Sequence, residues 1–482
     1  MLKNSNNKIL ILLFLIFYSY SLLAGILFQK LLPQLLPGMV AAGASLTTDS
    51  AYFHGIAVNL ANEINTKGWH IWSPFPNEYT SFNVALLGAL YALFGVNSLL
   101  AVPLNAAFHA MGGVLLYLIA KELSTNNENG KVAGLVASIS FIVFPSALNW
   151  YGQIHKDGFA IFGVFLYAYI LVLSVKNYKV SSYAKVIQYS AYSFLALFFI
   201  GIIRPYYLKP LLLFAVILLA LSTWRTLTKS DQAKKLLFFA ALTILSVIAN
   251  NKLVVIIGAT EAQLGETYAT SETLAFEASK PREARKPRVK GKSGFCSSDV
   301  NNALGDICQT YRAFEDQAYL YYSIIDEKLE NNAKILAETR FKLNEYSKSV
   351  KANSAIDVDV NFYNLSDVIS YIPRALQISI LAPFPDTWLD GFSPTRLIAS
   401  IEMAIIYTAL LGVVILFFSN PRTESILLLI FSLTFLVIYG LTIGNIGTLY
   451  RVRYSFEFLL VLLGFVGWCN SLIKTQVPEK NY

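Results

Sequence analysis

The sequence predicts an all-α polytopic membrane protein with about ten transmembrane helices, interfacial helices in the first outer loop and one small extracytoplasmic α-rich insertion. Three observations carry this. The 482 residues are 55% apolar and only 14% charged, far from a soluble average. Apolar runs near the spanning length of about 20 residues recur along the chain. The short alternating strands of an outer-membrane barrel do not occur in the pattern.

In chain order the expected spans are 9–31, 98–120, 132–148, 157–175, 187–203, 206–223, 236–257, 396–418, 424–443 and 453–473. The first follows Lys3 and Lys8 and is long enough to cross. The small-residue stretch "AAGAS" (41–45) lies well past its end, so it reads as an uncleaved helix rather than a removed signal. One set of short loops carries Lys121, Lys131, Lys176, Lys179, Lys185, Arg225, Lys229, Lys234, Lys235 and Arg422. The positive-inside rule places these loops and both termini in the cytoplasm, and it accounts for much of the formal charge of +8. Lys67, Lys156, Arg204, Lys209, Arg451 and Arg453 fall on the opposite side, against that rule.

The intervening regions give three parts: a transmembrane module 1–257 with a first outer loop 32–97, an extracytoplasmic insertion 258–371, and a re-entrant segment with the final helices, 372–482. In the first loop, "TTDSAYFHGIAVNLANEI" has the apolar spacing of a helix lying on the membrane. "FNVALLGALYALFGV" (82–96) reads as interfacial or partly inserted, because a full span there inverts every later loop. The insertion holds a basic tract, 279–294, expected to be a solvated, flexible loop; an anionic glycan or lipid head groups are the alternative partners. Without aromatic interleaving, nucleic acid is not an expected partner. A charged amphipathic stretch, 312–352, reads as one or two helices. The prolines of "YIPRALQISILAPFPDTW" (371–388) argue for a re-entrant or interfacial segment. Cys296 and Cys308 are a candidate disulfide in an oxidising compartment. Cys469 reads as a packing residue, and no zinc-ligand spacing is present.

The polar groups near the outer boundary carry the functional reading. Asp49, in "LTTDSAY", could take a proton from an acceptor hydroxyl; equally, Thr48 or Asp49 could cap the helix that follows. His54 stands about one turn later, as an interfacial residue or a ligand. "HKD" brings His155, Lys156 and Asp157 to the mouth of the fourth span. Asp157 offsets a helix dipole well, whereas Lys156 is a cation at the wrong end and suits a phosphate. Arg204 and Lys209 in "IIRPYYLKP", Arg374 in "YIPRAL", and Arg451 and Arg453 in "GNIGTLYRVRYSFEF" can grip phosphate oxygens. Each of these cations could instead snorkel to head groups, and Glu457 stands at i,i+4 from Arg453.

Three features resemble the C-type integral-membrane glycosyltransferases, such as the protein O-mannosyltransferases and the lipid A aminoarabinose transferase. Asp49 stands in the first outer loop. The stretch 77–123, "NEYTSFNVALLGALYALFGVNSLLAVPLNAAFHAMGGVLLYLIAKEL", is similar to their second interfacial helix and following span. "FPSALNWYGQIHKD" (144–157) has their proline-ended span before an acid. The likeness covers about 45–175, and later segments look like membrane proteins of bacterial surface-polysaccharide clusters. The resemblance implies a polyprenyl-phosphate-linked sugar donor and transfer to a glycan, lipid or protein acceptor on the outer face of a bacterial inner membrane. It makes Asp49 the base and Asp157 the second acid. Many relatives carry two adjacent acids in the first loop, whereas Asp49 is followed by Ser50. The metal requirement stays open, with a divalent ion compatible. Two other readings stand beside it: a polysaccharide polymerase or ligase using a diphosphate-linked donor, and a non-enzymatic transporter of lipid-linked glycan.

Overall fold

The computed structural model describes residues 2–35, 46–75, 81–177, 183–226, 231–256, 327–349, 352, 354–388, 394–419 and 422–472. Among these residues the regular structure is helical, and Ala355 and Asn445 form an isolated antiparallel bridge. The helices up to the insertion are α1 (Leu2–Leu35), α2 (Thr48–Lys67), α3 (Phe82–Phe94), α4 (Ala101–Leu123), α5 (Asn127–Val143), α6 (Leu148–Tyr151), α7 (Asp157–Asn177), α8 (Tyr183–Ile203), α9 (Leu208–Thr226) and α10 (Asp231–Ile256). They are followed by α11 (Glu327–Ser349), α12 (Leu365–Leu381), α13 (Pro394–Ser419), α14 (Thr423–Thr442) and α15 (Ile446–Leu472). Among the described residues, 9 helices are long and apolar enough to cross a membrane, or 10 if the bent pair α5–α6 counts as one span. The chain is an integral membrane protein of the expected helical class.

The local form of several elements follows from particular residues. The span expected at 132–148 is broken. Asn126 caps α5 by accepting from the Asn129 amide, and the helix ends at Val143. Pro145 has no amide hydrogen and pushes Phe144 out of the helical region. The chain therefore bends by 52° into a 3-10 turn, Pro145–Ala147, and α6. Helix α3 has 13 residues. At about 1.5 Å per residue it is roughly 20 Å long, too short for a hydrocarbon core of about 30 Å. Helix α12 starts before the stretch 371–388, at an Asn364 cap that accepts from the Asp367 amide, and it runs unbroken through Pro373. The Ala382–Pro383 bond beyond it is cis. Of the helical stretch expected at 312–352, α11 is the part that is described; the tract 279–294, Cys296 and Cys308 lie outside the described residues.

The chain divides into two compact units: Met1–Ala259 with Pro385–Thr434 and Tyr454–Tyr482, and Thr260–Phe384 with Phe435–Arg453. In the first unit α4 packs on α1, α5 and α7, α2 packs on α3, and α8 packs on both α7 and α10. Burial separates interior from peripheral helices: 78% of the α7 span is buried against 17% of the α1 span. The exposed side of α1 carries Ile11, Leu12, Leu15, Leu23 and Leu27, a face suited to lipid. Helix ends are closed by polar clasps. Arg422 donates to the Ser124 carbonyl (3.0 Å), and Thr125 donates through Oγ1 to Asn470 Oδ1 (2.9 Å). The first satisfies a carbonyl that the end of α4 leaves without an intrahelical partner.

In the second unit α11, α12 and the end of α14 share an apolar core that includes Ala337, Phe341, Phe362, Val368, Ala375 and Leu441. The fully buried Arg340 crosses it. Its Nε donates to the Val360 carbonyl (2.8 Å) and Nη2 to the Asp357 carbonyl (2.8 Å). Nη1 reaches the Leu441 carbonyl (3.2 Å), and the guanidinium lies over the Tyr371 ring at 4.6 Å. A guanidinium is the one cation with enough forked donors to satisfy several carbonyls at once.

Within the first unit, α13 and α15 approach so closely that a Cβ on Gly464 would land on the Ala409 carbonyl. Because the obstacle is backbone, it cannot rotate away. Gly464→Val is expected to cost at least the 1–3 kcal/mol typical of overpacking (about 3 kcal/mol here), read as a lowered unfolding temperature in detergent. Unchanged melting would show that the two helices do not pack as described.

Candidate functional site

The polar residues of the first unit converge on the turn 152–157, which links α6 to α7. Its position follows from two antiparallel neighbours. Helix α7 packs on α8, and Pro205 stops α8 just before Arg204. Asp157 is the first residue of α7, where a carboxylate complements the partial positive charge of the helix N-terminus. Arg204 Nη2 donates to Asp157 Oδ1, and Nη1 donates to the Tyr206 hydroxyl. The pair is enclosed, with side-chain exposures of 1% for Arg204 and 5% for Asp157. The guanidinium also lies over the Tyr207 ring at 5.4 Å. Burying two charges is unfavourable unless they meet in good geometry and find further hydrogen bonds, and here Tyr206 supplies one.

His155, also buried, places Nδ1 3.6 Å from Asp157 Oδ2, and its ring meets Phe53 of α2 edge-on at 6.4 Å. Two more bonds hold the turn. Gln153 accepts from the Thr47 amide through Oε1 (3.1 Å), and its carbonyl accepts from Asn105 Nδ2 on α4 (2.6 Å). Thr47 precedes α2, and Phe53 lies in its second turn. Asp49 stands between them, half-buried, at i,i+4 from Phe53 and so on the same face. Thr47 makes no side-chain bond to a backbone amide of the helix; its Oγ1 donates instead to the Ser50 hydroxyl, in the first turn (3.0 Å). The N-terminus of α2, carrying Asp49, is thus fastened at two points to the turn carrying His155 and Asp157.

The remaining candidates occupy different positions. His54 shares a hydrogen bond with the Tyr91 hydroxyl across α2 and α3 (2.7 Å). Burial lowers its pKa from the ordinary 6.5, so the ring is neutral near pH 7. Lys156 is half-buried and Lys209 is exposed. Beside the turn lies a small cleft of about 10 Å³, room for about one water, lined by Asn83, Asn105, Ile154, His155, Phe159 and leucines of α3 and α4. Among the described residues no three His, Cys, Asp or Glu side chains gather in a way that could hold a metal ion.

In the second unit, Arg374 grips Asp357 bidentately, through Nε to Oδ2 (2.9 Å) and Nη2 to Oδ1 (3.2 Å). Tyr371 donates to the same carboxylate (2.7 Å). Asp357 has a positive φ of 49°, a conformation that Asp tolerates better than most residues. Arg453 is buried, sits over the Tyr450 ring at 4.8 Å and donates from Nη1 to the Ser379 carbonyl (3.1 Å). Arg451 is half-buried.

Sequence reasoning missed several contributors. Tyr206, Gln153 and Asn105 hold the turn but carry no charge to draw attention. Glu402 is a single acid in the apolar run of α13 and is buried; its Oε1 accepts from the Ser146 amide (2.8 Å), at the break after α5. Its signal was available, since an acid inside a span is expensive and so needs a partner. Asp357 and Arg340 gave no comparable signal.

No family description and no curated protein matches the sequence. Among solved structures, the chain is similar to archaeal oligosaccharyltransferase AglB from Archaeoglobus fulgidus, determined in complex with an inhibitory peptide and a dolichol-phosphate. The TM-score is 0.47 and the identity 14%, over 95% of this chain. This chain spans about half (50%) of the length of that one.

The Arg374 hydrogen bonds hold the Asp357 pKa below the ordinary 3.8, while burial pushes the Tyr371 hydroxyl up to about 12. A depressed carboxylate stabilises the folded state fully above pH 3.8, and that contribution fades as pH falls through the lower folded value. Hydrogen-exchange protection of 354–362 and α12 should therefore drop below pH 3.8. Asp357→Asn should show the low protection already at neutral pH and lose this pH dependence. Wild-type protection in that variant would dismiss the ion pair as a stabilising contact.

Proposed function

We propose that this chain is a membrane glycosyltransferase. It moves a sugar from a polyprenyl-phosphate-linked donor to a hydroxyl of a glycan, lipid or protein acceptor, on the extracytoplasmic face of a bacterial inner membrane with both termini in the cytoplasm. The supporting observation is the fastening of Asp49 and Asp157, 108 positions apart in sequence (157 minus 49), to one turn beside basic residues. Opposite charges at one boundary suit a reaction in which a proton leaves one reactant and negative charge grows on the other.

The two acids take different roles because their surroundings differ. Asp157 is enclosed and neutralised by Arg204, so it orients Arg204 and His155 rather than exchanging protons with substrate. Asp49 is half-buried at the start of α2 and is the general base. The acceptor oxygen attacks the anomeric carbon, the bond from that carbon to the phosphate oxygen breaks with its electrons going to phosphate, and Asp49 receives the acceptor proton. Lys156 and Lys209, the more accessible cations near the pair, stabilise the departing phosphate. Configuration at the anomeric carbon inverts.

Asp49→Asn should lower kcat by about 10²–10⁴-fold, the usual value of general-base catalysis, with the purified protein still monodisperse. Full activity in that variant removes the acid from the mechanism. A diphosphate-dependent polymerase or ligase would instead lose activity in Arg451→Ala and retain it in Asp49→Asn. Arg204→Ala leaves Asp157 buried without its cation, at a cost of about 3–5 kcal/mol, and should fail to accumulate as folded protein. The double variant Asp157→Leu, Arg204→Met removes both charges and should recover folding without recovering transfer. Recovered transfer would show that the pair is structural only.

A further inference from the structure

We infer that Gln153 is a positioning residue, whose side-chain amide fixes where Asp49 stands at the start of α2. The inference deepens the reading above and rests on Asp49 as its general base. Gln153 is fully buried, and its backbone carbonyl is held by Asn105 of α4 (2.6 Å). Its Oε1 accepts from the Thr47 amide (3.1 Å). Thr47 is the last residue before α2, and its carbonyl opens the helix by accepting from the Ala51 amide (2.8 Å). Gln153 therefore joins a membrane helix to the residue from which the helix carrying the acid starts, two positions before Asp49.

Two features give this bond its weight. An N-cap threonine ordinarily accepts from an amide of the first turn through its side chain, which fixes the helix start locally. Thr47 makes no such bond, so the start of α2 is set from across the fold, through its backbone amide. The second feature is the packing beneath it. Leu46, Phe53, Ala57 and Ile154 belong to one apolar core, which keeps α2 against the turn. Apolar burial has no preferred direction, whereas a hydrogen bond weakens steeply with angle. Without the Gln153 bond, α2 stays docked but Asp49 loses its register. A general base must stand within about 2.6–3.2 Å of the group it deprotonates, and a misplacement of about 1 Å can cost about 10²-fold in rate.

The test cuts the bond from each side in the full chain. Gln153→Met keeps the length of the side chain but removes the acceptor. Thr47→Pro removes the donor, and the Thr47 φ of −65° already suits proline. Detergent-solubilised membranes of the expressing bacterium supply the acceptor. The donors are undecaprenyl phosphates bearing glucose, galactose, mannose or N-acetylglucosamine, and release of undecaprenyl phosphate is measured. Each variant should lower kcat about 10–100-fold and leave the donor KM unchanged. The double variant should fall no further than either single, because both cut one bond. In an Asp49→Asn background Gln153→Met should cost nothing more, because it acts through the acid. A further loss there, or a raised donor KM with kcat unchanged, overturns the positioning role. Amide exchange gives a second readout that needs no activity. Peptides covering 46–53 should exchange about 5–10-fold faster in both variants, while α4 and α7 keep wild-type protection. Unchanged exchange at 46–53 overturns the anchoring whatever the kinetics. If exchange rises as expected but Asp49→Asn keeps wild-type turnover, or the wild type turns over none of these lipids, the general-base reading falls and the anchoring of α2 by Gln153 stands.

Discussion

The buried pairing of Asp157 with Arg204 is the constraint on which the first unit's polar architecture depends. Either charge alone, so deeply enclosed, would oppose folding by several kcal/mol, a large part of a typical net stability of about 5–15 kcal/mol. The two are tolerable only together, so the start of α7 and the end of α8 must meet. Once they meet, the turn before Asp157 has a fixed place, and the bonds from Asn105 and Thr47 to Gln153 follow. The arrangement of α2 around this turn is thus a consequence of charge balance at the mouth of two membrane helices.

The second unit solves a related problem differently. Arg340 is as buried as Arg204 but is satisfied chiefly by main-chain carbonyls and aromatic faces, not by a carboxylate. Arg453 also donates to main-chain carbonyls, those of Ile378 and Ser379 near the end of α12. Carbonyls at helix ends and in loops lack intrahelical donors, and a guanidinium can serve several of them while its charge is spread over a plane. Arg374 belongs to this scaffold through Asp357. A phosphate role for it would require exchange of that partner.

Legibility in the sequence varied with the range of the physics involved. The spans were readable because hydrophobicity is a local, additive property of about 20 consecutive residues. The break at Pro145 could be read only in part. The proline marked an end, but the 52° bend and the Ser146–Glu402 bond need the structure. Asp157 was legible as an acid at a helix start and Arg204 as a cation opposing the positive-inside rule, yet nothing in a sequence couples residues 47 positions apart. Arg374 shows the opposite case. A lone Arg in "YIPRAL" reads as an anion binder until a positive-φ Asp357 is found against it.

By itself the sequence determined that this is a helical membrane protein, roughly where its helices lie, and that charge collects near particular helix ends. Those properties arise from the cost of placing backbone and side chains in hydrocarbon, which each segment meets on its own. Only the tertiary structure decided which charges neutralise one another and which acids and arginines are enclosed. Each of these depends on the relative placement of two or more helices to within a hydrogen-bond length, and that placement is set by packing across the whole unit.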